Sequence, residues 1–230
     1  MSTENKKWVL FEGGKKEWNN LVIDFNGGCY QSYEWGEYKK QMGWIPFRII
    51  RLDYDVVYVV QVLAKKYWKF SLMFLPGLRD TKYLDEQFFE YIRQLVGVNY
   101  VYLRGSFQIK YDQKKYDSLI DIKWRTPFFH IGARDSMMYY LSDSDYIRLT
   151  NASKNWRHNL KRALKKEIVI KIATSSDINK IIEIYRDMVH DKGISEPFSE
   201  TDILNILNVF GDKILLYYGT NSTGELLGLR

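Results

Sequence analysis

The sequence has few of the residues that build covalent or metal-based sites. Its 230 residues include one cysteine, Cys29, and three widely separated histidines, His130, His158 and His190. A single cysteine excludes an internal disulfide, and the histidines match no zinc-ligand spacing. No serine or cysteine stands beside a base in a pattern typical of a catalytic nucleophile. The sequence therefore predicts a protein of a reducing compartment without a metal site, and it identifies no catalytic residue.

Long apolar runs are also missing. No stretch approaches the roughly 20 apolar residues that a membrane-spanning helix needs. Residues 1–16 lack the apolar centre of a signal peptide. These absences predict a cytoplasmic protein, located either in solution or at the inner face of the membrane.

Apolar and aromatic residues are plentiful nonetheless. Hydrophobic residues make up 46% of the chain and aromatic residues 16%, including 18 Tyr and 7 Trp. This length and composition suffice for one large or two modest globular domains. The aromatic content suits sheet-rich cores and also grooves that hold sugars, bases or peptides, so composition alone leaves the ligand class open.

The first part of the chain alternates between helical and strand patterns. Apolar spacing predicts helices near residues 15–25 and 33–42, and then three β-rich runs between residues 44 and 74. We interpret these runs as an antiparallel meander with turns at 53–55 and 65–66, followed by a turn at Pro76-Gly77. Further on, the pattern predicts a helix that ends at Gly97, a strand, a helix and two strands at 128–132 and 137–141.

One segment carries nearly all of the uncompensated charge. Residues 153–166, SKNWRHNLKRALKK, contain six Lys or Arg and no acid, whereas the rest of the chain balances 28 basic against 28 acidic residues. Helical spacing places Trp156, Leu160, Ala163 and Leu164 on one face and the basic residues on the other. The segment is therefore predicted to be an amphipathic basic helix with a packed apolar stripe, Trp156 included.

The remaining chain predicts a strand, two helices, a strand, a hairpin turn and a final strand, with Ser199 and Asp202 capping the second helix. We predict an α/β fold with mixed sheets in two domains, residues 1–145 and 146–230, the second opened by the basic helix. No helix or strand follows to cover the last strand. We therefore expect the second domain to be incomplete and the chain to be a fragment.

Two motifs resemble those of the Fem-type (FemAB) peptidoglycan aminoacyltransferases, which consist of tandem GNAT-like domains. The first is CYQSYEWGEYKKQMGW at 29–44, with its Gln, its aromatic-Glu-Trp step, a Lys four residues later and a following Gly-Trp. The second is SKNWRHNLKRALKK, which is similar to the element that opens the family's second domain. Their order and separation match the family over nearly the whole chain.

The resemblance implies transfer of an amino acid from aminoacyl-tRNA to an amine of a peptidoglycan-precursor stem peptide, lipid-linked or UDP-linked, without a cofactor. It implies that Lys39 lies near the precursor's anionic carrier, in a groove shaped by Gln31, Tyr33 and Trp35. Residues close to the chemistry are expected beyond position 230, so we expect the isolated chain to be inactive. One departure is Glu196 before Pro197, where some members carry an Arg that meets precursor phosphate.

The basic helix has two functional interpretations and one purely structural one. Lys154, Arg157, Lys161 and Arg162 are candidates for binding a polyanion, either donor tRNA or an anionic membrane surface. The structural interpretation is a solvated face over a packed stripe, although a helix without acids lacks the usual Glu–Lys compensation.

Two other functions fit the same sequence. One is an acyl-CoA-dependent GNAT N-acyltransferase that acts on a sugar or lipid-linked amine, because GNAT-like relatives use either donor. The other is a non-catalytic RNA- or membrane-surface-binding module in which the fold only supports the basic helix, since a fold does not fix a function.

Overall fold

A computed structural model describes residues 6–128, 144–195 and 199–229. The two strands predicted between residues 128 and 141, and the Glu196-Pro197 pair, lie outside the described residues. The chain divides into two compact units, one ending at Thr126 and the other containing most of the chain from Pro127 onward. The domain boundary between residues 145 and 146 stays a prediction, because residues 129–143 are not described.

A five-stranded mixed sheet organises the first unit. Its elements in chain order are β1 (Lys6–Leu10), α1 (Lys15–Asp24), α2 (Tyr33–Gln41), β2 (Ile45–Asp53), β3 (Asp55–Tyr67), β4 (Phe70–Leu78), α3 (Glu86–Val96), β5 (Tyr100–Phe107) and α4 (Gln113–Asp121). The strands lie in chain order; β1 to β4 pair antiparallel, whereas β5 pairs parallel with β4. The predicted meander is confirmed, and β1 is an additional strand that the sequence did not indicate.

Helix ends in this unit follow their capping residues. Ser32 accepts a hydrogen bond from the Trp35 amide at the start of α2, and Asp85 accepts one from the Phe88 amide at the start of α3. Gly97, with φ of 61°, ends α3 in the left-handed conformation, as predicted. The buried face of α3 consists of Phe88, Ile92 and Val96, which join the main core cluster of the sheet.

The turns of the meander lie only partly where the sequence placed them. Tyr54, with φ of 67°, makes the β2–β3 turn within the predicted 53–55. The turn predicted at Lys65-Lys66 is wrong, because β3 continues to Tyr67 and the chain reverses at Trp68, with φ of 44°. The two lysines extend β3 beyond the buried core, so their polarity marks the exposed end of a strand.

A bulge interrupts β4 where the sequence predicted a simple turn. Pro76 and Gly77 lie inside β4, and its register against β5 shifts between Leu75 and Leu78. Pro76 has no N–H, and regular β3–β4 pairing ends at Leu63 and Phe74. The predicted turn is thus replaced by a local opening of the sheet beside β3.

The second unit contains a three-stranded antiparallel sheet with order β6-β7-β8. Its elements are α5 (Asp145–Asn151), α6 (Lys154–Leu164), β6 (Val169–Ile172), α7 (Ile178–Lys192), α8 (Glu200–Phe210), β7 (Tyr217–Thr220) and β8 (Leu226–Leu229). The predicted order of strands and helices is confirmed. The predicted cap is confirmed too, since Ser199 and Asp202 exchange hydrogen bonds at the start of α8.

Candidate functional site

Gln31 anchors the first motif inside the sheet. Its side-chain Oε1 accepts from the Gln61 amide at 2.6 Å, and its Nε2 donates to the Pro76 carbonyl at 2.6 Å. The indole Nε1 of Trp18 donates to the Gln31 carbonyl at 2.8 Å. Gln31 is only 3% exposed, so the structure places this predicted groove residue in the interior, where its amide bridges β3 and β4 at the opening beside Pro76.

A glycine allows α2 to lie directly on the sheet. A Cβ on Gly36 would lie 2.3 Å from Oε1 of Gln61 and 2.7 Å from Nη2 of Arg48. Side chains do not approach so closely, and a larger residue here would therefore displace the Gln61 and Arg48 side chains or shift α2. Glycine at this position lets α2 lie close to both side chains.

Arg48 joins β2 to the first turn of α2. Its guanidinium carbon lies 3.5 Å from the centre of the Tyr33 ring, and its Nη2 donates to the Tyr33 carbonyl at 3.0 Å. The same Nη2 forms a 2.9 Å ion pair with Glu37. Because the Arg48 side chain is 12% exposed, these contacts hold Tyr33 and α2 in one position.

Lys39 lies over an aromatic platform that we define as Tyr30, Trp35 and Tyr38. The Trp35 ring packs edge-on against Tyr30 at 4.7 Å and tilted against Tyr38 at 5.6 Å. The Lys39 ammonium is 5.0 Å from the centre of the Trp35 ring and 5.2 Å from that of Tyr38. The rings therefore hold a half-buried cation at a defined place at the end of α2.

The polar groups near Lys39 on α2 differ in their partners. Nε1 of Trp35 is buried and finds no hydrogen-bond acceptor among the described residues. Glu34 points into the interior, where it pairs with Lys15 at 3.2 Å and accepts from Asn19 at 2.8 Å. Both acids of α2, Glu34 and Glu37, pair with other cations, Lys15 and Arg48.

The basic helix is confirmed as α6, but its four predicted binding residues differ in their surroundings. Lys154, Lys161 and Arg162 are exposed on one side. Arg157 instead donates to the carbonyls of Thr150 at 2.9 Å and Ala152 at 2.7 Å, and it thereby caps the end of α5.

The packed apolar stripe predicted for α6 is wrong in two positions. Trp156 is 55% exposed and Leu164 is 74% exposed, whereas Leu160 and Ala163 are half-buried. The helix is thus amphipathic in sequence, yet only Leu160 and Ala163 of the predicted stripe are half-buried. Helical periodicity gives the face of a helix but not the elements that cover it.

The structure gathers Tyr33, Trp35 and Lys39 on α2 and the candidate cations of the second motif on α6. It adds Arg48 and Tyr38 to the first group. Tyr38 could have been predicted as the neighbour of Lys39, whereas Arg48 is one of two arginines in a mainly apolar strand and was not distinctive. In the described ranges, no three His, Cys, Asp or Glu side chains cluster in a way that could hold a metal ion. No helix within those ranges is long and apolar enough to cross a membrane.

Comparison with known proteins gives a structural match but no sequence match. No family model and no curated protein matches the sequence. The crystal structure of FemX matches with a TM-score of 0.70 and 17% sequence identity. The match covers 93% of this chain and 57% of the FemX chain, so the protein spans a little over half the length of that structure. The mixed α/β class is confirmed, and the Fem-type resemblance of the two motifs is confirmed as a likeness of fold to FemX.

Proposed function

We propose that the protein is a Fem-type aminoacyltransferase that moves an amino acid from aminoacyl-tRNA to an amine of a peptidoglycan-precursor stem peptide. The proposal is supported by the fold shared with FemX and by the two motifs at 29–44 and 153–166. The observation that carries it is the Lys39 cation held over Trp35 and Tyr38, in the motif where the family resemblance expects precursor contact.

The chemistry of this reaction agrees with the residues that the chain offers. An aminoacyl ester is already activated, so the acceptor amine attacks it directly and no covalent enzyme nucleophile is required. The protein has to position two anionic substrates and to stabilise the charge that develops on the ester oxygen. Binding surfaces for anions, and not a catalytic triad, are therefore the features to expect.

The acceptor would bind at the aromatic platform. A precursor diphosphate or carboxylate would place its negative charge beside the Lys39 ammonium and accept a hydrogen bond from Nε1 of Trp35. Gln31, Gly36 and Arg48 would act as positioning residues, because they fix α2 to the sheet without reaching the ligand. The same site would serve a UDP-linked or a lipid-linked muropeptide.

The donor tRNA would bind along α6 in a cytoplasmic protein. Lys154, Lys161 and Arg162 are exposed and carry no nearby acid in sequence. Such a row of cations gains affinity by releasing counterions from phosphates. Arg157 belongs to this site only indirectly, through the corner between α5 and α6.

The acceptor half of the proposal is tested by titrating the protein with a UDP-linked muropeptide. Lys39→Met should weaken binding by about tenfold, the loss expected for one charge-assisted contact. Lys40→Met is the matched control, because Lys40 is the next residue on α2, is 66% exposed and lies 3.9 Å from Glu37. Equal binding by K39M and wild type would overturn the acceptor assignment.

The donor half is tested with charged tRNA and acyl-CoA offered separately. Binding and transfer with charged tRNA would support the aminoacyltransferase proposal. Because the isolated chain is expected to be inactive, its binding of each donor is measured first, and transfer is assayed with the chain extended along its reading frame. Binding of acyl-CoA alone would favour the N-acyltransferase alternative, and RNA binding without muropeptide binding would favour the non-catalytic module.

A further inference from the structure

The tip of the β3–β4 hairpin carries a dense group of exposed aromatic side chains. Trp68 at the turn is 90% exposed, Tyr67 before it 56% and Phe70 after it 39%. Tyr100, which is 68% exposed, joins them because its amide donates to the Lys69 carbonyl at 3.0 Å. We call these four side chains the aromatic tip.

Local stability does not account for a tryptophan at this turn. Trp68 adopts φ of 44°, a left-handed conformation that favours Gly or Asn and disfavours bulky side chains. A strained residue is normally compensated by packing, but the Trp68 ring is almost fully exposed. A smaller residue would serve the fold at least as well, so packing within the described residues gives no reason for a tryptophan here.

The charged residues at the end of the β3–β4 hairpin, Lys65, Lys66 and Lys69, are all positive. Lys66 and Lys69 are exposed beside the aromatic tip, and the Lys69 ammonium lies 4.5 Å from the centre of the Trp68 ring. The sequence contains no acid from residue 56 to 79 or from residue 97 to 111, the two stretches that form this end of the sheet. An anionic partner is therefore complementary to the tip.

We propose that the aromatic tip is a docking surface for an anionic lipid membrane. Tryptophan and tyrosine favour the membrane interface, where the ring reaches apolar groups and the polar edge stays hydrated. Lysines next to the rings add attraction to acidic headgroups. Trp68 projects from the end of a hairpin, a shape that can enter a lipid surface.

The same geometry is less suited to nucleic acid. Single-stranded nucleic acid binds along grooves in which bases stack on open aromatic faces. The face of Trp68 instead carries the Lys69 ammonium, and the aromatic residues crowd the end of the sheet. The inference goes beyond the proposed transferase function and does not depend on it, because none of its residues belongs to the aromatic platform or to α6.

The test compares two exposed turn aromatics of the same sheet. Trp68→Asn removes the centre of the tip, while Tyr54→Asn changes the β2–β3 turn, where Tyr54 is 82% exposed with φ of 67°. Asparagine tolerates the left-handed conformation at both positions, so both variants should retain the wild-type thermal midpoint or exceed it. Binding is measured by co-sedimentation with phosphatidylglycerol–phosphatidylcholine vesicles and with pure phosphatidylcholine vesicles.

We expect wild type and Y54N to bind the acidic vesicles and W68N to bind about tenfold more weakly, as the loss of one buried aromatic ring predicts. Lys66→Gln and Lys69→Gln should each weaken binding by about fivefold. Equal vesicle binding by W68N and wild type would overturn the proposal. So would a W68N-sensitive affinity for single-stranded RNA without vesicle binding, or a self-association that W68N abolishes.

Discussion

The side chain of Gln31 forms hydrogen bonds with Gln61 on β3 and Pro76 on β4, where the two strands do not pair with each other. It accepts from the Gln61 amide and donates to the Pro76 carbonyl, each at 2.6 Å. Regular pairing would bring Gln61 and Pro76 face to face, two residues beyond the last pair, Leu63 and Phe74. The side-chain amide of Gln31 thus replaces the backbone hydrogen bonds that are lost where Pro76 interrupts the pairing of β3 and β4.

Replacing Gln31 should destabilise the first unit strongly. Gln31→Ala leaves a buried amide and a buried carbonyl without partners, which costs about 3 kcal/mol in the free energy of unfolding. Gln41→Ala, at the exposed end of α2, should change it by less than about 0.5 kcal/mol. Urea denaturation followed by tryptophan fluorescence measures both. A stable Q31A variant that fails only in muropeptide binding would instead support the groove role that the sequence predicts.

Gly36→Ala should destabilise the protein although it improves helix propensity. Alanine gains about 1 kcal/mol over glycine inside a helix, but its Cβ would lie 2.3 Å from Oε1 of Gln61. Overpacking of this kind costs about 1–3 kcal/mol and shifts α2. We expect a lower denaturation midpoint together with weaker muropeptide binding, because Lys39 lies on the same helix. A stabilised variant with unchanged binding would show that the Gln61 and Arg48 side chains move aside and that α2 keeps its position.

The proposed RNA contacts of α6 should appear in the salt dependence of binding. Lys154→Gln, Lys161→Gln and Arg162→Gln should each reduce the slope of log affinity against log salt by about 0.7–0.9. Lys114→Gln, which removes an exposed charge from α4, should leave the slope unchanged. Fluorescence anisotropy with a labelled tRNA at several salt concentrations provides the measurement. Slopes that do not change in the α6 variants would exclude this helix as the tRNA site.

Arg157 should behave differently from Arg162. Arg157→Ala removes the donors that bind the carbonyls of Thr150 and Ala152, so the end of α5 should open more often. Hydrogen exchange of the α5 amides should accelerate in R157A and stay at the wild-type rate in R162A. Equal exchange in the two variants would mean that the cap contributes nothing to the stability of α5.

Alkaline pH should weaken the first unit through Tyr58. Burial, and secondarily the nearby charge of Asp80, raises the pKa of this phenol well above its usual value of 10.0. The folded state therefore favours the protonated phenol. The contribution of Tyr58 to the free energy of unfolding is complete below pH 10 and is lost as the pH rises above that value.

Tyr58→Phe checks this assignment. The variant loses the hydrogen bond from Tyr58 to the Asp80 carbonyl and should be about 1 kcal/mol less stable at neutral pH. Its urea midpoint should then fall less steeply than that of wild type between about pH 10 and pH 11. Tyr54→Phe, at an 82% exposed position, should leave the wild-type profile intact. Parallel profiles for Y58F and wild type would contradict a role for Tyr58.

Periodicity predicted most elements correctly because their patterns are local. The α3 face, the meander and the Ser199 cap depend on residues within a few positions of one another. Strand β1 was missed because, of the four residues whose burial is described (7–10), only Trp8 is buried, too few to show alternation. The β3–β4 turn was misplaced because tryptophan with positive φ is not a turn signal, whereas adjacent lysines resemble one.

Sequence patterns predicted only some of the contacts in the candidate site. Lys39 and Trp35 stood out through the family resemblance, and their contact is local to one helix. The role of Gln31 depends on partners 30 and 45 residues further along the chain, which no local pattern reveals. The exposure of Trp156 was hidden for a related reason, since it depends on which elements pack against α6.

The order of strands in the first sheet has a consequence for how the protein acquires its site. Strands β2, β3 and β4 are joined by short turns, whereas β1 pairs with β2 across two helices and β5 joins β4 after α3. Closing the longer loops costs more entropy, so the meander is the expected folding nucleus and the outer strands follow it. Gln31 can bridge Gln61 and Pro76 only once β3 and β4 are in place. Helix α2 is therefore expected to reach its place late in folding, and newly made chains contain an ordered sheet before the proposed acceptor site forms.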